Sequence, residues 1–161
     1  MELTIEQALQ QGVAAHREGK LEEAERLYRA ILQAQPLHPD ANHNLGVLAV
    51  SVNKAEAALP LFKAALEANP KIEQFWLSYI DALIKEKQFD IAKQVIEQAK
   101  TQDVTEEKLN VLESQLTLAT QVNEPKLAVQ NKSLSLSQKR KKLSQQKKQK
   151  KAAKQNVEGI S

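Results

Sequence analysis

The chain contains no cysteine. That excludes a disulfide framework, a thiolate nucleophile and thiolate ligation of a metal. Glycine is scarce, at four residues, and two of these recur at one spacing, so no Gly-rich loop remains to cradle a phosphate. Aromatic residues make up 4% of the chain, and none lies beyond Phe89. No stretch approaches the roughly 20 apolar residues of a membrane-spanning helix. Residues 1–10 carry Glu2 and Glu6 without an apolar run, so no secretory signal peptide is expected and the chain is expected in the cytoplasm. Histidine occurs at positions 16, 38 and 43 alone. His38 and His43, with Asp40 between them, are the nearest approach to a metal-ligand set. They lack a fourth ligand, so both are read as ordinary surface histidines, His38 in a turn and His43 on the first turn of a helix. No nucleophile is paired with a base in the sequence. Neither catalysis nor a cofactor nor a bound metal is expected.

What is present is a ruler of 34 residues. Residues 5–38, 39–72 and 73–106 align column by column. One column holds Ala24, Ala58 and Ala92, another Tyr28, Phe62 and Ile96, and a third Ile31, Ala65 and Ala99. Gly12 pairs with Gly46, and Pro36 with Pro70. A fixed period of this length predicts a solenoid of helix pairs, each too small to bury its apolar face alone. Small residues belong where two helices approach most closely, and large ones (Tyr28, Phe62, Trp76) fill the spaces between. The proline columns end the second helix of each unit. Gly19-Lys20 and Asn53-Lys54 fall at the turn inside the first two units, where a left-handed residue is wanted. Lys87-Gln88 holds that place in the third. The expected helices span about 5–18, 21–34, 39–52, 55–68, 73–86 and 89–101.

These columns resemble the tetratricopeptide repeat, whose pattern is W-x2-L-G-x2-Y, then A-x3-F, then P. The second unit matches best, with Leu45-Gly46, Ala58-x3-Phe62 and Pro70. The third carries Trp76 at the family's Trp position, followed by Tyr79 and Ala92. The first carries Gly12, Ala24-x3-Tyr28 and Pro36. Gln11, Ile80 and Val104 depart from the pattern. The resemblance implies an all-α fold, a right-handed α-solenoid of three helix-turn-helix units. A capping helix is expected at about 105–119, started by Thr105, Glu106 and Glu107 and carrying Leu109, Leu112 and Leu116 on one stripe. Trp76 is read as a packing residue, since it occupies a repeat column.

Charge divides the chain in two. Residues 1–119 hold 12 Lys and Arg against 18 Asp and Glu, a net of −6. Residues 120–161 hold 11 against 2, a net of +9, and the two add to the overall +3. The first segment is expected to be the repeat domain. The second is expected to be a Lys/Gln-rich linker or tail, disordered or transiently helical.

The resemblance implies that the first helix of each pair lines a concave groove that binds a protein or extended peptide. Two positions after the Trp column stand Gln10, Asn44 and Ser78, a polar ladder whose amides offer both a donor and an acceptor. Asn44 resembles the asparagine ladder of repeat domains attached to O-linked N-acetylglucosamine transferases. Val13, Val47 and Asp81 occupy the next turn. The clamp by which some relatives grip acidic chaperone tails has no counterpart, because the matching positions (Leu9, Val13, Asn44, Gln74, Ser78) include no cation. A protein-interaction scaffold is therefore expected, resembling the front module of a larger bacterial transferase. The alternative is non-specific phosphate binding by the tail cations Lys139, Arg140, Lys141, Lys142, Lys147, Lys148, Lys150 and Lys151.

Overall fold

The computed structural model describes residues 2–123. Residues 124–161, with the eight cations from Lys139 to Lys151, lie outside the described residues. Seven helices follow one another: α1 (Ile5–Arg17), α2 (Leu21–Ala34), α3 (Pro39–Ser51), α4 (Ala55–Ala68), α5 (Glu73–Lys85), α6 (Phe89–Lys100) and α7 (Glu106–Asn123). No strand occurs among the described residues. The first six helices end within one residue of their expected bounds. The seventh runs four residues past its expected end at 119. No helix among the described residues is long and apolar enough to cross a membrane.

The turn inside each unit is the same turn three times. Lys20, Lys54 and Gln88 donate their backbone N–H to Ala15, Ala49 and Leu83, at 2.8, 2.8 and 2.9 Å. This closure needs a left-handed residue just before the donor. Gly19 supplies it at φ 78°, Asn53 at 61° and Lys87 at 59°. Lysine takes that conformation against a steric cost of about 1–2 kcal/mol, so the third turn is held by its surroundings rather than by its own preference.

Within each pair the two helices touch where glycine meets a ring. A Cβ on Gly12 would lie 2.7 Å from Tyr28 Cε1, and one on Gly46 would lie 2.5 Å from Phe62 Cε1. Tyr28 and Phe62 are themselves fully buried. The third unit departs from glycine at this position and carries Ile80. The opposing column changes with it, from a ring to Ile96, and both isoleucines are buried in one cluster. A larger residue on one helix is met by a smaller one on the other.

The Trp column has a second, shared task. Trp76 Nε1 donates to the carbonyl of Pro70 at 2.7 Å, and Asn42 Nδ2 donates to the carbonyl of Pro36 at 3.0 Å. Each fastens the first turns of its helix to the proline that ended the helix before. Trp76 is also packed in the core, so the packing reading of this residue describes its place.

Curvature follows from which helices meet. The first helices touch one another, α1 against α3 and α3 against α5, whereas α2 does not reach α4 nor α4 reach α6. The first helices therefore line the inner face. The last of them, α7, buries Leu109, Leu112 and Leu116 against Trp76, Leu83, Val95 and Ile96. Burying a leucine contributes about 1.5–3 kcal/mol. Two ion pairs orient the helix. Lys100 Nζ lies 2.6 Å from Glu113 Oε1. Glu73 accepts from the Thr105 backbone N–H and from Lys108 Nζ, each at 2.7 Å.

Those two donors to Glu73, Lys108 first, hold its carboxyl well down, from its ordinary 4.5 to about 2. Above pH 4.5 the carboxylate is ionised whether the chain is folded or not, and the contact contributes in full. As the pH falls, the unfolded chain takes up the proton first. The contribution shrinks and is gone once the pH passes about 2. Thermal melts of wild type and Glu73→Gln between pH 5 and pH 2.5 should show a steeper loss of melting temperature in the wild type. Parallel slopes would mean that Glu73 does not hold α7.

Candidate functional site

The first helices α1, α3 and α5 touch in succession, and Gln10, Asn44 and Ser78 stand at one repeat position of the three. Gln10 is exposed, and Asn44 and Ser78 are half-buried, as are Val13, Val47 and Asp81 one turn on. Their chemistry is less uniform than their spacing. Asp81 is paired with Lys85 at 2.9 Å, so the acidic end of the groove carries an ion pair rather than a lone carboxylate. Ser78 is bound internally. Its Oγ lies 2.8 Å from His43 Nε2 and accepts from Gln74 Nε2 at 3.1 Å.

His43 is not the surface histidine the sequence led us to expect. It is 8% exposed, on the second turn of α3. Its ring stacks on Phe75 at 4.8 Å between centroids and lies tilted against Phe62 at 5.5 Å. Its column explains this, because the equivalent residues are Leu9 and Leu77. The position is apolar by design of the repeat, and histidine fills it as a flat ring with two polar edges. Both edges are used. Asn44 Oδ1 stands 3.4 Å from Nδ1, and with the amide in this orientation the ring proton belongs on Nδ1. Nε2 then accepts from the Ser78 hydroxyl. A directed chain runs from the Gln74 amide through Ser78 and His43 to Asn44, tying the second unit to the third beneath the groove. His38 is the other expected histidine, and its Nδ1 caps α3 by accepting from the Ala41 N–H at 3.1 Å. The two rings have separate structural tasks, and no cluster of metal-ligating side chains occurs among the described residues.

The groove reaches further than the three-unit reading placed it. A hollow of about 340 Å³ opens between α5 and α7. One wall is Gln74, Leu77, Ser78 and Asp81, and the other is Lys108, Val111, Leu112 and Gln115. Each residue of the second wall stands 34 after its counterpart on the first. α7 therefore occupies the place of the first helix of a fourth unit, and it caps the core while extending the groove. The signal lay in the sequence, one more step along the same ruler.

Helix pairs stacked in register, with a groove along the inner helices, define an α-solenoid repeat protein. Two family models, both described as tetratricopeptide repeat, match residues 9–71 and 49–116, which together exceed half of the chain. The chain belongs to the tetratricopeptide repeat family. No curated protein matches it. Among solved structures it is similar to the repeat domain of P58(IPK), with TM-score 0.64, 20% identity, and 76% of this chain and 34% of that one covered. It is similar to SycD, a type III secretion translocator chaperone of Yersinia enterocolitica, with TM-score 0.64, 15% identity, and 76% and 90% covered. It is also similar to the O-GlcNAc transferase of Thermobaculum terrenum, with TM-score 0.54, 22% identity, and 60% and 19% covered. The chain thus spans about a third of the first of these proteins and about a fifth of the transferase. At these identities the likeness is one of fold.

Burial pushes the His43 imidazole below its ordinary value of 6.5, against the smaller pull of the Asn44 hydrogen bond and the Asp40 charge. Above pH 6.5 the ring is neutral in the folded and unfolded chain alike, and its contacts contribute in full. Below that, the unfolded chain takes up a proton that the folded chain refuses, and stability falls until the folded ring also titrates. His43→Leu restores the column's own residue and removes the titration. Urea midpoints at pH 7.5 and pH 5.5 should therefore differ more in the wild type than in His43→Leu. An equal difference would mean that the ring titrates in the fold as it does in water.

Proposed function

We propose that this chain is a protein-interaction scaffold that holds an extended segment of a partner protein along its inner helices. The observation that carries the reading is the composition of the hollow between α5 and α7. Leu77, Val111 and Leu112 offer it an apolar floor, and Gln74, Gln115 and the nearby Asn44 offer side-chain amides. An amide donates and accepts at once, which suits a peptide backbone, and the apolar floor suits alternate side chains of an extended segment. The charged residues at its rim, Asp81 and Lys108, are each paired within this chain. The groove therefore favours a partner segment that is not strongly charged. The likeness to SycD, a chaperone by name, supports a role in holding other proteins.

In this reading the module is non-catalytic, acts in the cytoplasm and carries no cofactor. The likeness to the Thermobaculum transferase, with Asn44 in the segment His43–Gly46, supports the finer reading that such a module serves as the front of a bacterial transferase. One further observation favours a second reading. The net charge of +9 over residues 120–161 suits non-specific contact with nucleic-acid phosphates.

Selection from a random peptide library on the full chain tests the groove. Asn44→Ala and Gln115→Ala should each weaken the selected peptides by about 5–150-fold, from the roughly 1–3 kcal/mol of a buried hydrogen-bond partner left unmatched. Arg29→Ala, an exposed residue on the second-helix face, should leave them unchanged. Peptides that bind equally to all three variants would place the binding surface elsewhere.

A further inference from the structure

Ser78 stands between the hollow and a buried imidazole. It lines the hollow, its Oγ lies 2.8 Å from His43 Nε2, and it accepts from Gln74 Nε2 at 3.1 Å. A hydroxyl has one proton and two lone pairs. With the ring proton on Nδ1, the Ser78 proton goes to Nε2 and one lone pair goes to Gln74. What remains for the hollow is the second lone pair. Ser78 therefore meets an incoming segment as an acceptor and has no proton to offer it.

The ring that makes this choice has no other partner to turn to. Phe75 of α5 and Phe62 of α4 pack against it, and Asn44 meets Nδ1. These neighbours and Ser78 are uncharged, and the charge whose field reaches the ring is that of Asp40, on α3 itself. Uptake of a proton from solvent changes the pattern in one way. Nε2 becomes a donor, so the Ser78 oxygen must accept from it. Gln74 still donates to the other lone pair. The hydroxyl proton, displaced from the ring, is then left for the hollow. Every bond of the chain survives, and the polarity that Ser78 offers the hollow is reversed.

We propose that Ser78 is a specificity-determining position of the groove and that His43 is its positioning residue. While the ring is neutral, Ser78 takes a backbone N–H of the bound segment; when the ring is protonated, it takes a carbonyl instead. This specificity rests on the groove reading above and adds a rule to it. Proline, which has no N–H, is disfavoured at that place while the ring is neutral. Burial holds the imidazole below 6.5, so the reversal belongs to pH values below that.

Two measurements on the full chain test the rule. The first needs no partner. Nitrogen-15 NMR of the His43 imidazole, assigned by its loss in His43→Leu, should show the proton on Nδ1 and a bare Nε2 at pH 7.5. A proton on Nε2 at that pH overturns the proposal, because Ser78 would already accept from the ring. The second uses peptides selected from a random library at pH 7.5, with each backbone amide replaced in turn by an ester, which deletes one N–H. One replacement should weaken binding by about 5–150-fold in the wild type and have little effect in Ser78→Ala. Its cost should fall as the pH drops through the midpoint of the His43 signal, with the fold followed by circular dichroism, and should be independent of pH in His43→Leu. Peptides selected below that midpoint should also be weakened by Ser78→Ala, since they meet a donor there. Indifference to Ser78→Ala below the midpoint overturns the reversal, because the freed proton has then turned back to the Gln74 carbonyl, as in other helical serines. Loss of the fold before the His43 signal moves overturns it as well, since the protonated ring then has no folded state to act in. A chain that selects no peptide removes the groove reading and this specificity with it. A reversed tautomer, or an ester scan in which no position depends on Ser78, removes the specificity alone.

Discussion

The distance between the two helices of each pair is set where a residue without a side chain faces a buried ring. Gly12 against Tyr28 and Gly46 against Phe62 leave no room for even a methyl group. Everything on the inner face inherits that spacing. The second helices stand apart from one another while the first helices touch, and this difference bends the stack and gives it a groove. The third unit reaches the same end with Ile80 and Ile96. The constraint is therefore on the summed volume of the two positions rather than on glycine as such, which is how close-packed interiors tolerate exchange.

Function and packing are hard to separate on the inner face. The chain from Gln74 through Ser78 and His43 to Asn44 uses the polar atoms that a peptide in the groove would also seek. Asn44 keeps its amide donors beyond that chain, whereas the Ser78 hydroxyl has given its one proton to His43 and can only accept further. The three positions are thus graded, with donors to spare at Gln10 and Asn44 and acceptor capacity alone at Ser78. The hollow between α5 and α7 then restores amides at Gln74 and Gln115 beside an apolar floor.

Much of this was legible in the sequence, because a repeat states each position three times. The six paired helices were read to within a residue since glycine, proline and small-residue columns mark their ends and contacts. His43 was misread because a single histidine is polar by type, and only its column mates Leu9 and Leu77 reveal a buried place. The reach of the groove onto α7 was missed for a related reason. The leucine stripe of α7 announces a cap, whereas Lys108, Val111 and Gln115 are meaningful only when the ruler is extended past residue 106. The hydrogen bond shared by Asn42 and Trp76 was beyond the sequence, since two unlike side chains perform one task through the geometry of the preceding proline.

A double-mutant cycle on one helix pair tests the volume constraint most directly. Gly46→Ile and Phe62→Ile, alone and together, convert the second unit to the pair that the third unit already uses. Overpacking alone costs about 1–3 kcal/mol or more, and removing the ring alone leaves a cavity of comparable cost. If the two positions share one volume, the double variant recovers much of the loss, with a coupling of about 0.5–3 kcal/mol in urea unfolding. Strictly additive losses, within about 0.5 kcal/mol, would contradict the account, because the spacing of the helices would then be set elsewhere.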